Sequence, residues 1–127
     1  MPNKKAQKQI RREILDEVLC MKAFLAYNRG ATRDFLDFAA LSECASEPAV
    51  LDSLLKLDKR YAEVQTSSVA LGVAKALSAA APFDLNEAEL TQYKGLVKKW
   101  HKWEATRSIC HRYGVLLGEA LVGRGEK

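Results

Sequence analysis

The sequence predicts an all-α protein: a single compact bundle of four to six helices with a long C-terminal helix. Only three prolines and seven glycines interrupt the 127 residues. Most of the remaining residues are Ala, Leu, Glu, Lys, Arg and other types that favour helix. Apolar residues recur at helical spacing along most of the chain, and no stretch alternates apolar and polar residues for long enough to indicate a strand.

The first helix is expected to begin after Asn3, a capping residue, and to end near Tyr27, because Asn28 and Gly30 supply a C-terminal stop. Its core face is predicted from a stripe of residues separated by four, three and four positions, Ile14, Val18, Met21 and Leu25, and this face is widened by Leu15, Leu19 and Phe24. The first two turns, through Arg12, are nearly all polar. They form either the start of this helix or a basic N-terminal arm.

Three further helices are predicted in the middle of the chain. Thr32 is expected to cap the second helix, and Ser46 the third, with Pro48 in its first turn. The third helix carries one apolar seam: Val50, Leu54, Leu57, Tyr61 and Val64. The fourth helix, from Val69 to about Ala80, is rich in alanine, which allows close packing against its neighbours.

The last helix is expected to start with a capping box formed by Asp84 and Glu87 and to run to Val122 or break near Gly114. Its apolar seam comprises Leu96, Trp100, Trp103, Cys110, Leu117 and Leu121. Gly114 and Gly118 would let another helix approach closely. The seam either closes within one chain or pairs with a second copy, so a homodimer through the last helix is an alternative to a monomer. Residues 123–127 are predicted to form a mobile tail, and residues 1–127 one domain.

The net charge of +4 is unevenly distributed. Residues 1–12 carry +5, residues 13–91 carry −6, and residues 92–113 carry +5. We call the first range the N-terminal basic segment and the last the C-terminal basic segment. Two interpretations are open: a positive surface for phosphates or an acidic protein, and internal compensation by the acidic middle of the chain.

Catalysis and metal binding are not expected. His101 and His111 are ten residues apart, which does not match the spacing of metal ligands on one helix. Cys110 lies on the apolar seam, where a buried thiol is inert, and neighbouring His111 points elsewhere. We therefore predict a non-enzyme without metal or cofactor. A helix-turn-helix from Phe35 to Leu57 is disfavoured, because Glu47 lies where a recognition helix would face phosphates.

The candidate partner-binding residues are the bases of the two basic segments and one tryptophan. They are Lys4, Lys5, Lys8, Arg11 and Arg12 in the N-terminal basic segment, and Lys94, Lys98, Lys99, Lys102, Trp103 and Arg107 in the C-terminal one. Lys94, Lys98 and Lys102 follow one helical row, and Trp100 and Trp103 border it. Basic residues beside aromatic ones suit an acidic protein groove, with Trp as an anchor, and also suit phosphate contact with base stacking.

The predicted function is that of a non-catalytic regulator, adaptor or inhibitor that binds a larger macromolecular assembly through this basic, aromatic-bordered surface. The alternative is a nucleic-acid-binding protein with little sequence specificity. No membrane partner is expected, because the longest uncharged stretch, residues 64–74, is far shorter than the ~20 residues that span a bilayer. Three widely spaced cysteines indicate a reducing compartment, the cytoplasm, rather than a disulfide framework.

Overall fold

The computed structural model describes residues 3–63, 67–91 and 98–125. These ranges contain seven α-helices and one turn of 3-10 helix, and no strand. The α-helices are α1 (Lys4–Asn28), α2 (Thr32–Ser42), α3 (Glu47–Leu54), α4 (Leu57–Arg60), α5 (Val69–Ala79), α6 (Glu87–Leu90) and α7 (Trp103–Gly125). The predicted all-α class and long C-terminal helix are confirmed. The helix number exceeds the expected four to six because α4 and α6 are single turns.

Helix α1 has the predicted ends, but of its predicted face only the residues that widen it, Leu15, Leu19 and Phe24, contribute to the core. Asn3 Oδ1 accepts the Ala6 N–H at 2.8 Å, and Gly30 follows the helix with a φ of +71°. The buried residues are Leu19, Cys20, Ala23 and Ala26. The stripe predicted as the core face lies mainly outside, with Ile14 56% and Met21 43% exposed. The small side chains on the buried face let α2, α3 and α5 pack against α1.

The N-terminus of α2 is capped by a carboxylate from far along the chain. Thr32, the predicted cap, is instead the first residue of α2. Its backbone N–H and its hydroxyl donate to Asp84 Oδ1 at 2.7 and 2.8 Å. Asp34 accepts the N–H of Ala31 at 3.0 Å. Two carboxylates therefore satisfy the amides of Ala31 and Thr32 at the N-terminus of α2, and Asp84 ties α2 to the loop before α6.

The predicted capping box of Asp84 and Glu87 does not form, because both carboxylates serve other helices. Asn86 caps α6 by accepting the Ala88 N–H at 3.1 Å. Glu87 Oε1 accepts the N–H of Trp103, the first residue of α7, at 3.2 Å. Glu87 on the short helix α6 therefore supplies part of the N-terminal cap of α7.

The seam predicted for one third helix is divided between α3 and α4. The chain tightens after Leu54, where the Lys56 N–H donates to the Ser53 carbonyl at 3.1 Å, and this interrupts the helix. Val50, Leu54 and Leu57 are nevertheless all fully buried. Val64, the last residue of the predicted seam, lies outside the described residues.

The last predicted helix is also interrupted. Residues 92–97, which include Leu96, lie outside the described residues, and a 3-10 turn (Lys98–His101) precedes α7. Helix α7 passes through Gly114 without a break and continues to Gly125, beyond the expected end at Val122. Residues 126 and 127 of the predicted tail lie outside the described part of the chain.

Helices α5 and α7 approach each other closely at Gly114. A Cβ atom at Gly114 would lie 2.4 Å from the Ser78 backbone nitrogen and 2.8 Å from the Ala74 carbonyl oxygen. The close helix approach expected at Gly114 is therefore present, and the neighbour is α5 of the same chain. At Gly118 a Cβ would meet only the Ala74 methyl group at 4.0 Å.

The core lies among α1, α2, α3, α5 and α7. Its largest fully buried side chains include Phe38, Leu54, Leu77 and Leu117. Trp103 packs edge-to-face on Phe35, with ring centroids 6.2 Å apart. Among the helices of the described ranges, none has both the length and the apolar character needed to cross a membrane.

We expect Asp84→Ala to lower the free energy of unfolding by about 1–2 kcal/mol, the usual effect of losing a helix cap. The two hydrogen bonds from Thr32 hold the pKa of Asp84 below its ordinary value. A depressed folded-state pKa means that the stabilisation is present at neutral pH and is lost as the pH falls through that pKa. Urea unfolding at neutral and acidic pH measures this, and the difference from wild type should shrink in acid. An equal difference at both pH values would contradict the assignment.

Candidate functional site

The N-terminal basic segment forms the exposed end of α1. Lys4, Lys5, Lys8, Arg11 and Arg12 are all exposed. Within the described ranges, none of these five side chains forms an ion pair with a carboxylate. No residue between Asn3 and Val18 is buried, and Leu19 is the first that is. The basic end of α1 therefore extends from the core with its charges exposed to solvent.

The five bases share one side of the helix. At about 100° per residue, their positions fall within an arc of about 120°. Ile10 and Ile14 lie on the other side, centred about 140° away. From Lys4 to Arg12 the helix rises about 12 Å, so five positive charges are concentrated over a short length. Cations at a helix N-terminus are unfavourable to the helix itself, and they add to the positive potential of its first amides.

Three of the four bases of the C-terminal basic segment whose side chains the structure describes pair with carboxylates. Lys99 Nζ lies 2.5 and 2.6 Å from the two carboxylate oxygens of Glu43, and Arg112 pairs with Glu47. Arg107 pairs with Glu104 on its own helix at 2.9 Å. The first two pairs join this segment to the acidic middle of the chain. Here the structure favours internal compensation over a free positive surface.

The predicted row of lysines is not carried by one α-helix. Lys94 lies outside the described residues, and Lys98 begins the 3-10 turn. Lys102 is exposed and lies between that turn and α7. The i,i+4 alignment expected for the row therefore does not apply to the part that is described.

Both tryptophans belong to the core. Trp100 is 4% and Trp103 is 6% exposed. The Lys99 ammonium lies over the Trp100 ring, 4.5 Å from its centroid, so the lysine covers the tryptophan further. The prediction that Trp103 is a surface anchor is wrong, because an anchor must present its ring to the partner and this ring is buried.

Sequence reasoning missed a polar cluster beside the basic segment. Asp16 on α1 accepts hydrogen bonds from Ser53 at 2.5 Å, from Lys56 at 3.4 Å and from Arg60. Burial raises the pKa of Asp16, but the hydrogen bonds from Ser53 and Arg60 and the charge of Lys56 lower it by more. The three donors lie 37 to 44 positions from Asp16 in the sequence, so no local spacing pattern indicates the cluster. The cluster ties α1 to α3 and α4.

Burial makes the thiols of Cys20 and Cys110 unreactive. Cys110 is fully buried beside the Phe35 carbonyl at 3.7 Å, and burial raises the pKa of its thiol to about 12. His111 Nδ1 lies 2.8 Å from the Ser78 carbonyl oxygen. Burial raises the pKa of Cys20 to about 11. Both buried thiols are protonated at neutral pH and are poor nucleophiles.

The geometry also bears on two further types of site. In the described part of the chain, no three His, Cys, Asp or Glu side chains are grouped to hold a metal ion. Helices α2 and α3 are joined by a short turn, as a helix-turn-helix would be. Glu47 at the start of α3 pairs with Arg112, so this helix end presents a carboxylate rather than a phosphate-binding group.

Comparison with protein-family models, with curated proteins and with solved structures found no match to the chain. The function proposed below therefore rests on the geometry of the chain itself.

Proposed function

We propose that this chain is a non-catalytic nucleic-acid-binding protein with little sequence specificity, and that the N-terminal basic segment on α1 is its contact surface. The observation that carries the proposal is the group of five exposed bases, unpaired in the described part of the chain, within one arc of about 120°. Sequence-independent affinity for nucleic acids comes mainly from neutralising phosphates with Lys and Arg side chains.

The charge density of the segment, about one charge per 2.4 Å, is of the same order as that of a nucleic acid duplex. Five positive charges within about 12 Å face a duplex that carries one negative charge per ~1.7 Å of its axis. The segment carries no aromatic side chain, and both tryptophans are buried, which argues against recognition by base stacking. Contacts to phosphates fix position but do not read sequence, so affinity is expected to vary little between sequences.

The test is a titration of a fluorescently labelled random-sequence duplex, followed by anisotropy at several salt concentrations. We expect Lys5→Gln/Lys8→Gln/Arg12→Gln to weaken binding at least tenfold. The slope of log K against log salt should fall by about 0.9 for each phosphate that the variant no longer neutralises. These side chains are exposed, so the variant should unfold at the same urea concentration as wild type.

A matched control removes the same charge elsewhere. Arg33, Lys59 and Lys75 are exposed bases on α2, α4 and α5. Arg33→Gln/Lys59→Gln/Lys75→Gln should leave affinity within about twofold and the slope nearly unchanged. If both triple variants bind equally weakly, net charge rather than the basic segment is responsible, and the proposed surface is wrong.

A regulator, adaptor or inhibitor that binds an acidic protein stays a second prediction. It loses its predicted aromatic anchor with the burial of Trp103, and Lys99 and Arg107 are paired. The same basic segment could still face an acidic protein groove, but such a complex would show a weaker salt dependence than phosphate neutralisation gives. We propose the cytoplasm as the compartment, because its reducing conditions suit the exposed free thiol of Cys44.

A further inference from the structure

Asp16 joins the exposed half of α1 to the body of the protein. Its carboxylate accepts hydrogen bonds from Ser53 on α3 at 2.5 Å and from Lys56 and Arg60 further along the chain. Ser53 is 3% exposed, so this contact reaches the interior. Asp16 lies four residues beyond Arg12, about one helical turn from the last base of the N-terminal basic segment. It is therefore placed where a contact with the body can hold that segment.

The N-terminal basic segment weakens the helix that carries it. The first turn of α1 contains Lys4 and Lys5 and no acid. Cations near a helix N-terminus interact unfavourably with the helix dipole. Lys8 lies four residues from both Lys4 and Arg12, and like charges at this spacing destabilise a helix. A helix end of this composition frays unless contacts further along the helix hold it.

Fraying would lower the affinity of the basic segment for a polyanion. A frayed segment keeps its five charges, but they no longer lie within one arc of about 120°. Binding then has to order the chain again, and the conformational entropy lost in that step reduces affinity. In the folded protein the segment is already part of α1 (Lys4–Asn28), so this loss does not arise on binding.

We propose that Asp16 is a positioning residue for the nucleic-acid surface: its contacts with α3 and α4 keep the N-terminal basic segment helical. The inference rests on the proposed function and adds to it a residue that does not itself contact phosphate. The negative charge of Asp16 opposes the binding of a polyanion, whereas its positioning role favours binding. The two effects have opposite signs, so an experiment can separate them.

The test repeats the duplex titration with Asp16→Ala. We expect affinity to fall by about threefold to tenfold, although this variant carries one more net positive charge than wild type. The slope of log K against log salt should stay the same, because all five bases can still neutralise phosphates. Ser53→Ala leaves the net charge unchanged and removes one hydrogen bond to Asp16, so it should weaken binding by a smaller factor.

Glu17→Ala is the matched control. Glu17 is the next residue on α1, is exposed, and forms no ion pair within the ranges that the structure describes. Its removal changes the charge by the same amount without releasing α1 from α3, so affinity should equal that of wild type or exceed it. If Asp16→Ala binds as tightly as Glu17→Ala, or more tightly, Asp16 does not position the basic segment.

Hydrogen exchange without nucleic acid measures the order of the basic segment itself. We expect the amides of residues 8–15 to exchange at least about tenfold faster in Asp16→Ala than in wild type, and at an unchanged rate in Glu17→Ala. The amides of α5 and α7 should stay protected in both variants. Circular dichroism adds a second readout, because the duplex should increase the helix signal of Asp16→Ala and leave that of wild type unchanged.

The outcomes separate this inference from the proposed function. A wild-type chain that binds no duplex contradicts the proposed function, and hydrogen exchange alone then decides whether Asp16 holds the basic segment. Equal exchange of residues 8–15 in Asp16→Ala and Glu17→Ala overturns the positioning role, whatever the affinity. If Asp16→Ala loses protection throughout the chain, the same comparison is made with Ser53→Ala, whose net charge is that of wild type.

Discussion

Replacing Trp103 with alanine is expected to lower the free energy of unfolding by about 3–5 kcal/mol, the cost of deleting a large buried side chain. Trp103 is 6% exposed and packs edge-to-face on Phe35 between α2 and α7. A side chain in such a position leaves a cavity that the helices can only partly close. If Trp103 were a binding anchor, stability would hardly change and only affinity would fall.

The measurement is urea unfolding, followed by circular dichroism and by the fluorescence of Trp100, which remains in the variant. Phe83→Ala is the matched control, because Phe83 is an aromatic residue that is 77% exposed. Its backbone N–H donates to the Gly30 carbonyl at 3.2 Å, and alanine keeps that bond. The control should alter stability by no more than about 0.5 kcal/mol. Similar small effects for both variants would place Trp103 at the surface.

Helix ends were predictable from the sequence where the cap is local. Asn3 and Ser46 each accept an amide three residues ahead, so the signal lies within one turn of chain. The cap of α2 comes from Asp84, 52 residues away from Thr32. Such a cap is defined only once α2 and the loop before α6 meet, and a sequence pattern read locally assigns both residues to the wrong partners.

The stripe on α1 shows a second limit. Helical spacing correctly groups Ile14, Val18, Met21 and Leu25 on one face, but it does not tell which face the rest of the chain covers. The structure buries the opposite face, where Cys20, Ala23 and Ala26 are small enough for close packing. Hydrophobicity predicts that the stripe with the larger apolar side chains is buried, but the structure buries the face with the smaller ones.

The candidate site was predictable in one half and not in the other. The N-terminal basic segment contains no acid, and its charges remain unpaired in the described part of the chain. The C-terminal basic segment has the same net charge, but Glu43 and Glu47 pair with two of its bases from distant positions in the chain. The local net charge therefore predicts an exposed positive surface correctly for the N-terminal basic segment. It fails for the C-terminal basic segment, because carboxylates from distant positions in the chain pair with its bases.

Gly114→Ala is expected to destabilise the protein by about 1–3 kcal/mol, although alanine is the better helix former. Intrinsic propensity alone would predict a gain of about 1 kcal/mol from removing a glycine inside α7. The new Cβ, however, would lie 2.4 Å from the Ser78 nitrogen and 2.8 Å from the Ala74 oxygen. Both are backbone atoms of α5, so relief requires the two helices to separate.

Gly118→Ala distinguishes packing from propensity in the same helix. Its Cβ would meet only the Ala74 methyl group at 4.0 Å, an ordinary contact, so propensity should prevail and stability should rise by up to about 1 kcal/mol. Thermal and urea unfolding of the two single variants measure the pair of effects. Opposite signs four residues apart support the close approach of α5 to α7 at Gly114. If both variants are stabilised, the helices are farther apart at Gly114 than the structure places them.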